Sequence, residues 1–227
     1  MDKSTGSHIA ASTPCALPVR SNARHPASVG DAHPKCGSRM RTRAQQKRDH
    51  PPMTDVRIRD AETADLETIT AIHNHAVLHT TAIWNEDAVD LADRIAWLAD
   101  RTSHGYPVIV AVDDSGVLGY ASYAQWRPHS GYRHTVEHSV YVLGGQHGRG
   151  IGTALMAALV ERARAAGMHV MIAGIESGNG ASIALHERLG FTEVGRMPQV
   201  GAKFGRWLDL SMLQLVLDDR AEPGAAS

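Results

Sequence analysis

The feature that most constrains this chain is GQHGRGIGTAL, residues 145–155, in which four glycines stand directly before an apolar helical pattern. Glycine inside a helix costs about 1 kcal/mol relative to alanine, so these glycines need another explanation. The preceding residues, 133–143, alternate as a β-strand does. A strand that runs through a glycine-rich turn into a helix is a typical anion site, because the first helical N–H groups have no intrahelical partner. We therefore predict that residues 148–153 bind a pyrophosphate, which approaches the backbone closely where no Cβ intervenes.

Two common nucleotide-binding motifs do not fit this loop. A Walker A loop requires a lysine followed by serine or threonine after its last glycine, and none stands here. A dinucleotide fingerprint requires GxGxxG, but Leu155 occupies the position of the last glycine. The dinucleotide loop also follows the first strand of its fold, whereas several predicted strands precede this one. On the loop alone, a glycine-rich turn without any ligand remains an open alternative.

Hydrophobic periodicity predicts the element order β-α-α-β-β-β-α-β-α-β-β. Strands are predicted at residues 56–59, 107–112, 117–126, 133–143, 169–175, 191–195 and 206–217, and helices at 61–79, from 90 to before 105, 150–166 and 179–189. The boundary residues are Thr63 or Asp65, Asp90 and Asn179 at helix starts, and Gly167 and Gly190 at helix ends. The pattern predicts one α/β (α+β) domain over residues 53–227, with a mixed, mostly antiparallel central sheet flanked by helices.

Charge is divided unevenly along the chain. Residues 1–52 carry nine Lys or Arg and three Asp, whereas residues 53–227 carry 14 basic and 21 acidic side chains. This mildly acidic body argues against nucleic acid as the main partner. Both cysteines, Cys15 and Cys36, lie in the first segment, so we predict no disulfide framework and no metal site in the body. No apolar run has the length of a membrane span or a signal peptide, which predicts a cytoplasmic protein without a membrane partner.

Residues 1–52 are rich in Pro, Ser, His and Arg and lack periodicity, which predicts a disordered basic tail. A misannotated start is the other main interpretation, since MTDVRIRDAE from Met53 has the character of a native beginning. Two further alternatives remain open: a transit peptide, which has a similar composition, and a basic arm for nucleic acid.

VYVLGGQHGRGIGTAL and ESGNGASIALHERLGF together resemble the GCN5-related N-acetyltransferases, in which the turn Arg/Gln-x-x-Gly-x-Gly/Ala holds the pyrophosphate of acetyl-CoA. Gly150 and Gly152 occupy the two glycine positions of that turn, and His147 stands where Arg or Gln is usual. The resemblance covers about residues 56–217, and it implies a single domain of this family's fold with acetyl-CoA as co-substrate. The cofactor contacts that it implies are Val140, Tyr141, Val142, His147, Gly148, Arg149, Gly150, Ile151, Gly152, Thr153, Asn179 and Ser182.

Three further stretches narrow the resemblance: TVEHSVYV, NGASIALHERLGF and MPQVGAKFGRWLDLSMLQL. They resemble the branch that acetylates phosphinothricin, methionine sulfone and methionine sulfoximine, which implies direct transfer to the α-amino group of a small amino-acid analogue. Members of this branch often form dimers, so we expect a homodimer. Two alternatives stay open: an enzyme for peptide N-termini or other amines such as aminoglycosides, and an acyl-CoA-binding module without turnover.

The chemistry requires a free-base amine, and an α-amino group titrates near 8 in peptides. A carboxylate within reach, directly or through one water, supplies the base. Glu137 lies in the strand before the glycine loop, so we predict that it is catalytic and contacts the substrate, with a solvated strand position as the alternative. His186 matches a histidine of this branch for which a catalytic role has been proposed, although a structural role fits its helical setting equally well.

An amino-acid substrate also needs a cation for its carboxylate. Arg127 and Arg133 flank the loop before the Glu137 strand and are the predicted clamps, with an ordinary surface position as the alternative for each. The other predicted substrate contacts are His138, Ser139, Trp84 and Phe204. By strand alternation His138 faces away from Glu137, so simple packing is its alternative role. Lys203 is expected to face either the site or the solvent.

Overall fold

The computed structural model describes residues 56–223, and in it the alternating segments form seven strands of one sheet. The strands are β1 (Arg57–Asp60), β2 (Val108–Asp113), β3 (Gly116–Gln125), β4 (Thr135–Val142), β5 (Val170–Glu176), β6 (Thr192–Lys203) and β7 (Arg206–Val216). The helices are α1 (Leu66–His79), α2 (Leu91–Ser103), α3 (Ile151–Ala165) and α4 (Gly180–Arg188), with short 3-10 turns at Thr63–Asp65 and Ser130–Tyr132. This order confirms the predicted succession of elements. The predictions for residues 1–52 lie outside the described residues.

The sheet has the strand order β1-β2-β3-β4-β5-β7-β6, and every neighbouring pair is antiparallel except β4 and β5. These two parallel strands pair only from Thr135 opposite Val170 to Glu137 opposite Ile172. Beyond that point β4 stays paired with β3 as far as Val142, and β5 stays paired with β7. The two central strands therefore diverge after Glu137 and leave a wedge-shaped opening in the middle of the sheet.

Two apolar layers hold helices against opposite faces of this sheet. On one face, α3 buries a row of side chains at helical spacing, Ile151, Leu155, Met156, Leu159 and Ala163. On the other face, α1 buries Leu66, Ile69 and Ile72 against Tyr120. Burial of each such large side chain is worth about 1.5–3 kcal/mol. The packing of α3 thus holds the glycine loop at its N-terminus in a defined place against the open end of β4.

The sixth strand corrects the sequence prediction, which ended it at residue 195. In the structure β6 continues to Lys203, with register shifts between Glu193 and Gly195 and between Met197 and Gly201. The strand lies at the edge of the sheet, where a missing N–H is tolerated, so Pro198 does not end it.

Lys203, at the end of β6, corrects the expectation that it faces the site or the solvent. Its side chain is buried, and burial lowers the pKa of its amino group. The ammonium donates hydrogen bonds to the carbonyl oxygens of Val77 (2.5 Å), Thr80 (2.8 Å) and Ile83. Because these carbonyls lie at and just beyond the end of α1, Lys203 fastens the segment after α1 to the β6–β7 hairpin.

We expect Lys203→Met to lower the free energy of unfolding by about 3 kcal/mol, because it leaves buried carbonyls without their charged donor. Urea denaturation followed by circular dichroism measures this loss. The matched control is Arg206→Met, an exposed change in the same hairpin, which should stay within about 0.5 kcal/mol of the wild type. Equal stability of Lys203→Met and the wild type would contradict the anchoring role.

Candidate active site

The opening between β4 and β5 leads into two adjoining cavities. The smaller, of about 380 Å³, is lined by Glu137, His138 and Ser139 on β4 and by Gly174 on β5. The larger, a groove of about 570 Å³, runs along the far end of β4 to the glycine loop and α4. The residues that line both cavities are Ala82, Val140, Tyr141, Asn179, Ser182 and His186. A ligand in the groove is therefore next to a ligand in the smaller cavity.

The glycine loop has the backbone geometry that an anion site needs. Gly150 precedes the first residue of α3 and has φ of +81°, a conformation that side chains other than glycine rarely adopt. Within the described part of the chain, no side-chain hydrogen bond caps this helix start. At Gly152, a Cβ would lie 3.2 Å from Leu185 Cδ1 and on the wall of the groove. The first-turn N–H groups of α3 are therefore open to a phosphate.

Eleven of the twelve residues predicted to contact the cofactor line this groove. They are Val140, Tyr141, Val142, His147, Gly148, Gly150, Ile151, Gly152, Thr153, Asn179 and Ser182. The side chain of Arg149 does not line it. Its guanidinium lies 3.5 Å from the carboxylate of Asp113 and donates to Gln146 Oε1 at 2.5 Å. Arg149 is thus occupied in holding the loop to the β2–β3 turn.

Asn179 caps the start of α4 and also lies at the wall of both cavities. Its Oδ1 accepts a hydrogen bond from the backbone N–H of Ser182 at 3.1 Å, so it is the N-cap of α4. The same residue lines both cavities. Capping uses only the amide oxygen, so the amide NH₂ of Asn179 is available as a donor for a ligand.

Glu137 lies where β4 and β5 separate, and its carboxyl group is half-buried. Burial raises the pKa of this carboxyl, and the nearby charge of Arg127 partly opposes the rise. Gly174 on β5 makes room for it, since a Cβ there would lie 3.2 Å from Glu137 Oε1. A carboxylate with a raised pKa is a stronger base than an ordinary glutamate, which suits proton abstraction from an ammonium group.

His138 and His186 form a buried pair across the gap between β4 and α4. Their rings are nearly parallel, and their Nε2 atoms are 3.1 Å apart. His186 Nδ1 lies 2.7 Å from the carbonyl oxygen of Ser182, which only accepts, so Nδ1 carries the proton. If both rings are neutral, His186 Nε2 has no proton and accepts a hydrogen bond from the Nε2–H of His138. This arrangement holds the ring of His186 at both nitrogens.

The pair is also kept neutral by its surroundings. Burial, and then the neighbouring ring of His186, lower the pKa of His138 to about 3. Burial lowers the pKa of His186 as well, although its hydrogen bond to Ser182 opposes this. His73 on α1 is a third such histidine, whose pKa falls to about 4 mainly through burial.

Four residues predicted to contact the substrate do not line the smaller cavity. Arg127 is exposed over the ring of Trp126, and Arg133 donates to Ser130 O at 3.4 Å. Trp84 packs against Gly201, where a Cβ would lie 2.2 Å from its ring. Phe204 is 56% exposed at the turn between β6 and β7.

Arg101, Gln125 and Glu176 line the smaller cavity and were missed from the sequence. Arg101 lies on α2, far along the chain from Glu137. Its only sequence signal is a helical spacing that places it on one face with Arg94 and Trp97. Both carboxylate oxygens of Glu176 already accept hydrogen bonds, from Gly178 N and Thr81 Oγ1.

Within residues 56–223, no cluster of three or more His, Cys, Asp or Glu side chains is arranged to hold a metal ion. In the same range, no helix is both long and apolar enough to cross a membrane.

The chain has clear relatives among known proteins. Residues 69–191 match the profile described as the acetyltransferase (GNAT) family. An L-methionine sulfoximine/L-methionine sulfone acetyltransferase of Pseudomonas aeruginosa is 64% identical over 162 residues, which are 71% of this chain and 94% of that protein. A phosphinothricin N-acetyltransferase of Alcaligenes faecalis is 38% identical over 162 residues, 71% of this chain and 82% of that protein.

A solved structure extends the likeness to the fold. An acetyltransferase from Salmonella typhimurium, solved with its cofactor acetyl-CoA, is 54% identical and has a TM-score of 0.74. The match covers 76% of this chain and 99% of that one.

The three histidines with lowered pKa values, His73, His138 and His186, predict a loss of stability in acid. In the unfolded chain they take up protons near pH 6.5, whereas in the fold the pKa values of His73 and His138 fall to about 4 and about 3 and the pKa of His186 is also lowered. The unfolded state therefore binds more protons, and the stability present above pH 6.5 is lost as pH falls. His73 and His138 each contribute up to about 1.4 kcal/mol per pH unit between pH 6 and 5, above the usual range of carboxylates.

Denaturation midpoints measured between pH 7 and 5 test this sign and slope. His138→Gln should reduce the slope of unfolding free energy against pH by the contribution of about one proton, because one titrating histidine is removed. The matched control is His129→Gln, a change at an exposed histidine, which should leave the slope as it is in the wild type. A wild-type stability that rises toward pH 5 would refute neutral buried rings.

Proposed function

We propose that this chain, which belongs to the acetyltransferase (GNAT) family, transfers an acetyl group from acetyl-CoA to the α-amino group of a small amino-acid analogue. The main structural support for this proposal is the position of Glu137 in the wall of the smaller cavity. Its half-buried carboxyl group lines a cavity of about 380 Å³ that adjoins the groove leading to the glycine loop. An amine in that cavity lies beside both a base and the end of the groove.

The chain is an N-acetyltransferase, and acetyl-CoA is its co-substrate. The residues present fit this molecule. The open N–H groups after Gly150 suit its pyrophosphate, and the edge of β4 left by β5 offers main-chain groups to the pantetheine arm. We assign the first contact to residues 150–153 and the second to residues 140–142.

The transfer itself needs few protein groups. Glu137 accepts a proton from the ammonium of the substrate, and the amine then attacks the thioester carbonyl carbon. The new C–N bond forms, the attacking nitrogen releases its surplus proton, the C–S bond breaks, and the thiolate takes up one proton, so the products are the N-acetyl amino acid and free coenzyme A. Main-chain N–H groups along β4 stabilise the oxyanion between these steps. The sequence has no cysteine in residues 53–227, so transfer is direct rather than through an acyl-cysteine.

The small cavity and the relatives together point to the substrate. About 380 Å³ lies near the lower end of the usual range for ligand pockets, which suits one amino acid better than a peptide or an aminoglycoside. The relative named for methionine sulfoximine and methionine sulfone is 64% identical, against 38% for the one named for phosphinothricin. We therefore rank the two methionine analogues above phosphinothricin.

For His186 we propose the structural role of the two that the sequence leaves open. Both ring nitrogens are engaged, by the carbonyl of Ser182 and by His138, and the buried ring is kept neutral. The pair then holds the start of α4, with Asn179 and Ser182, against β4 at the cavity wall.

We also propose that the enzyme is a cytoplasmic homodimer. Acetyl-CoA is an intracellular metabolite, which supports the location. The β6–β7 hairpin supports the dimer, because its edge strand and its exposed apolar side chains suit a second copy of the same surface. The exposed side chains are Val194, Met197, Val200, Phe204, Trp207 and Val216. Sedimentation velocity of the full chain should give about twice the monomer mass of 24.4 kDa, and a monomer at micromolar concentration would contradict it.

The proposed function is tested by thiol release from acetyl-CoA in the presence of a panel of amines. Methionine sulfone and methionine sulfoximine should give the highest kcat/KM, followed by phosphinothricin. A peptide N-terminus and an aminoglycoside should give far lower values. Acetyl-CoA binding without thiol release for any amine would favour a binding module instead.

Glu137→Gln should lower kcat at pH 7 by about 100-fold, because the amine then lacks its base. The deficit should shrink above pH 8, where more of the amine is already deprotonated. In the wild type, kcat should fall as pH drops through the raised pKa of Glu137, since the protonated carboxyl cannot accept a proton.

The matched control is Glu176→Gln, which alters the other carboxylate of the cavity. Glu176 is already engaged by Gly178 N and Thr81 Oγ1, so this variant should keep most of the wild-type kcat. An identical pH profile for Glu137→Gln and the wild type would remove Glu137 from the base role.

A further inference from the structure

Arg101 is the feature of the smaller cavity that the proposed reaction does not yet use. It lies in the last turn of α2, and its side chain lines the cavity together with Glu137. Its guanidinium carbon is 5.9 Å from the centre of the Trp97 ring. That ring packs edge-on against Tyr120, at 6.0 Å between centroids, which fixes the support on which the guanidinium rests.

Arg101 is also the only lysine or arginine among the described residues that line this cavity. The other charged side chains there are Glu137 and Glu176, and the two histidines of the wall are neutral. The sequence-predicted clamps, Arg127 and Arg133, do not line it. A negatively charged group of a ligand in this cavity therefore has one cationic partner in the described lining, while Arg127 acts on Glu137 from outside it.

The hydrogen bonding of Arg101 leaves room for such a group. Its Nη1 lies 3.3 Å from the carboxylate of Asp100, whose side chain is 54% exposed, so this ion pair is weak. Its Nε is buried and has no hydrogen-bond partner within residues 56–223. A guanidinium donates two parallel N–H bonds to one carboxylate, and the Nε edge is one of the faces that does so.

We propose that Arg101 binds the α-carboxylate of the substrate while Glu137 takes the proton from its α-ammonium. Arg101 then makes the enzyme select amino acids over amines that lack a carboxylate. This inference rests on the proposed function, which supplies a substrate that carries both groups.

The test compares methionine sulfone with its α-carboxamide, in which the carboxylate is replaced by a neutral amide. The two amines differ in intrinsic reactivity, so the quantity compared is the ratio of their kcat/KM values in each variant. In Arg101→Met, kcat/KM for methionine sulfone should fall about 100-fold, as expected when a buried charge partner is removed. For the carboxamide, kcat/KM should change little in Arg101→Met. The ratio of kcat/KM for the acid to kcat/KM for the carboxamide should therefore fall by a similar factor.

The matched control is Arg94→Met, which removes an arginine of the same helix over the same Trp97 ring, at 5.0 Å. Arg94 does not line the cavity, so this variant should keep the wild-type preference. The Kd for acetyl-CoA should be the same in Arg101→Met as in the wild type. A general loss of structure in this variant would instead raise that Kd. If Arg101→Met does not fold, Arg101→Gln carries the same comparison.

The outcomes separate the two proposals. A wild type without turnover of either amine overturns the proposed function itself. An active wild type whose preference for the acid survives in Arg101→Met overturns the role of Arg101. Loss of that preference in Arg127→Met, with retention in Arg101→Met, assigns the carboxylate to Arg127 and also overturns it.

Discussion

The structure depends on the separation of two parallel strands in the middle of its sheet. β4 and β5 pair over three residues and then diverge at Glu137, while each keeps its other neighbour. The backbone N–H and C=O groups of a central strand normally pair with neighbouring strands on both sides. Within the described residues 56–223, the far half of β4 is paired only with β3, and its other edge can pair with another chain of donors and acceptors. An extended, amide-containing arm such as pantetheine is such a chain.

The same separation organises the rest of the site. Side chains of β4 alternate, so Glu137 and Ser139 face one layer of helices while His138 and Val140 face the other. The histidine pair closes the α4 side, and the α2 side presents Arg101 on its aromatic support. The two cavities thus meet at residues that line both of them. Lys203 fastens the segment after α1, whose Ala82 lines both cavities, from a distant hairpin.

Much of this was predictable from the sequence, because it depends on local chemistry. Asp90 and Asn179 cap their helices with the side-chain bonds expected of them, and Gly167 and Gly190 have the positive φ of helix ends. The glycine loop was predicted to bind an anion because its glycines stand between a strand and a helix, and in the structure most of its residues line the groove. The family and its co-substrate followed from that loop and the segments around it.

Other features depend on tertiary context and left no local signal. The length of β6 was underestimated because Pro198 ends most strands but is tolerated at a sheet edge. Arg101 was missed because it reaches the cavity that Glu137 lines only when α2 packs against α1 and β2. Arg127 and Arg133 were chosen for nearness in sequence, but the loop that carries them lies outside the smaller cavity.

Hydrogen–deuterium exchange of the full chain, with and without acetyl-CoA, tests the central claim most directly. If the unpaired edge of β4 and the start of α3 hold the acetyl donor, its addition should slow exchange of amides in residues 138–142 and 150–153. Amides of β1 and β2, on the far side of the sheet, should exchange at unchanged rates. Protection that appears elsewhere while these two segments exchange as before would contradict the account.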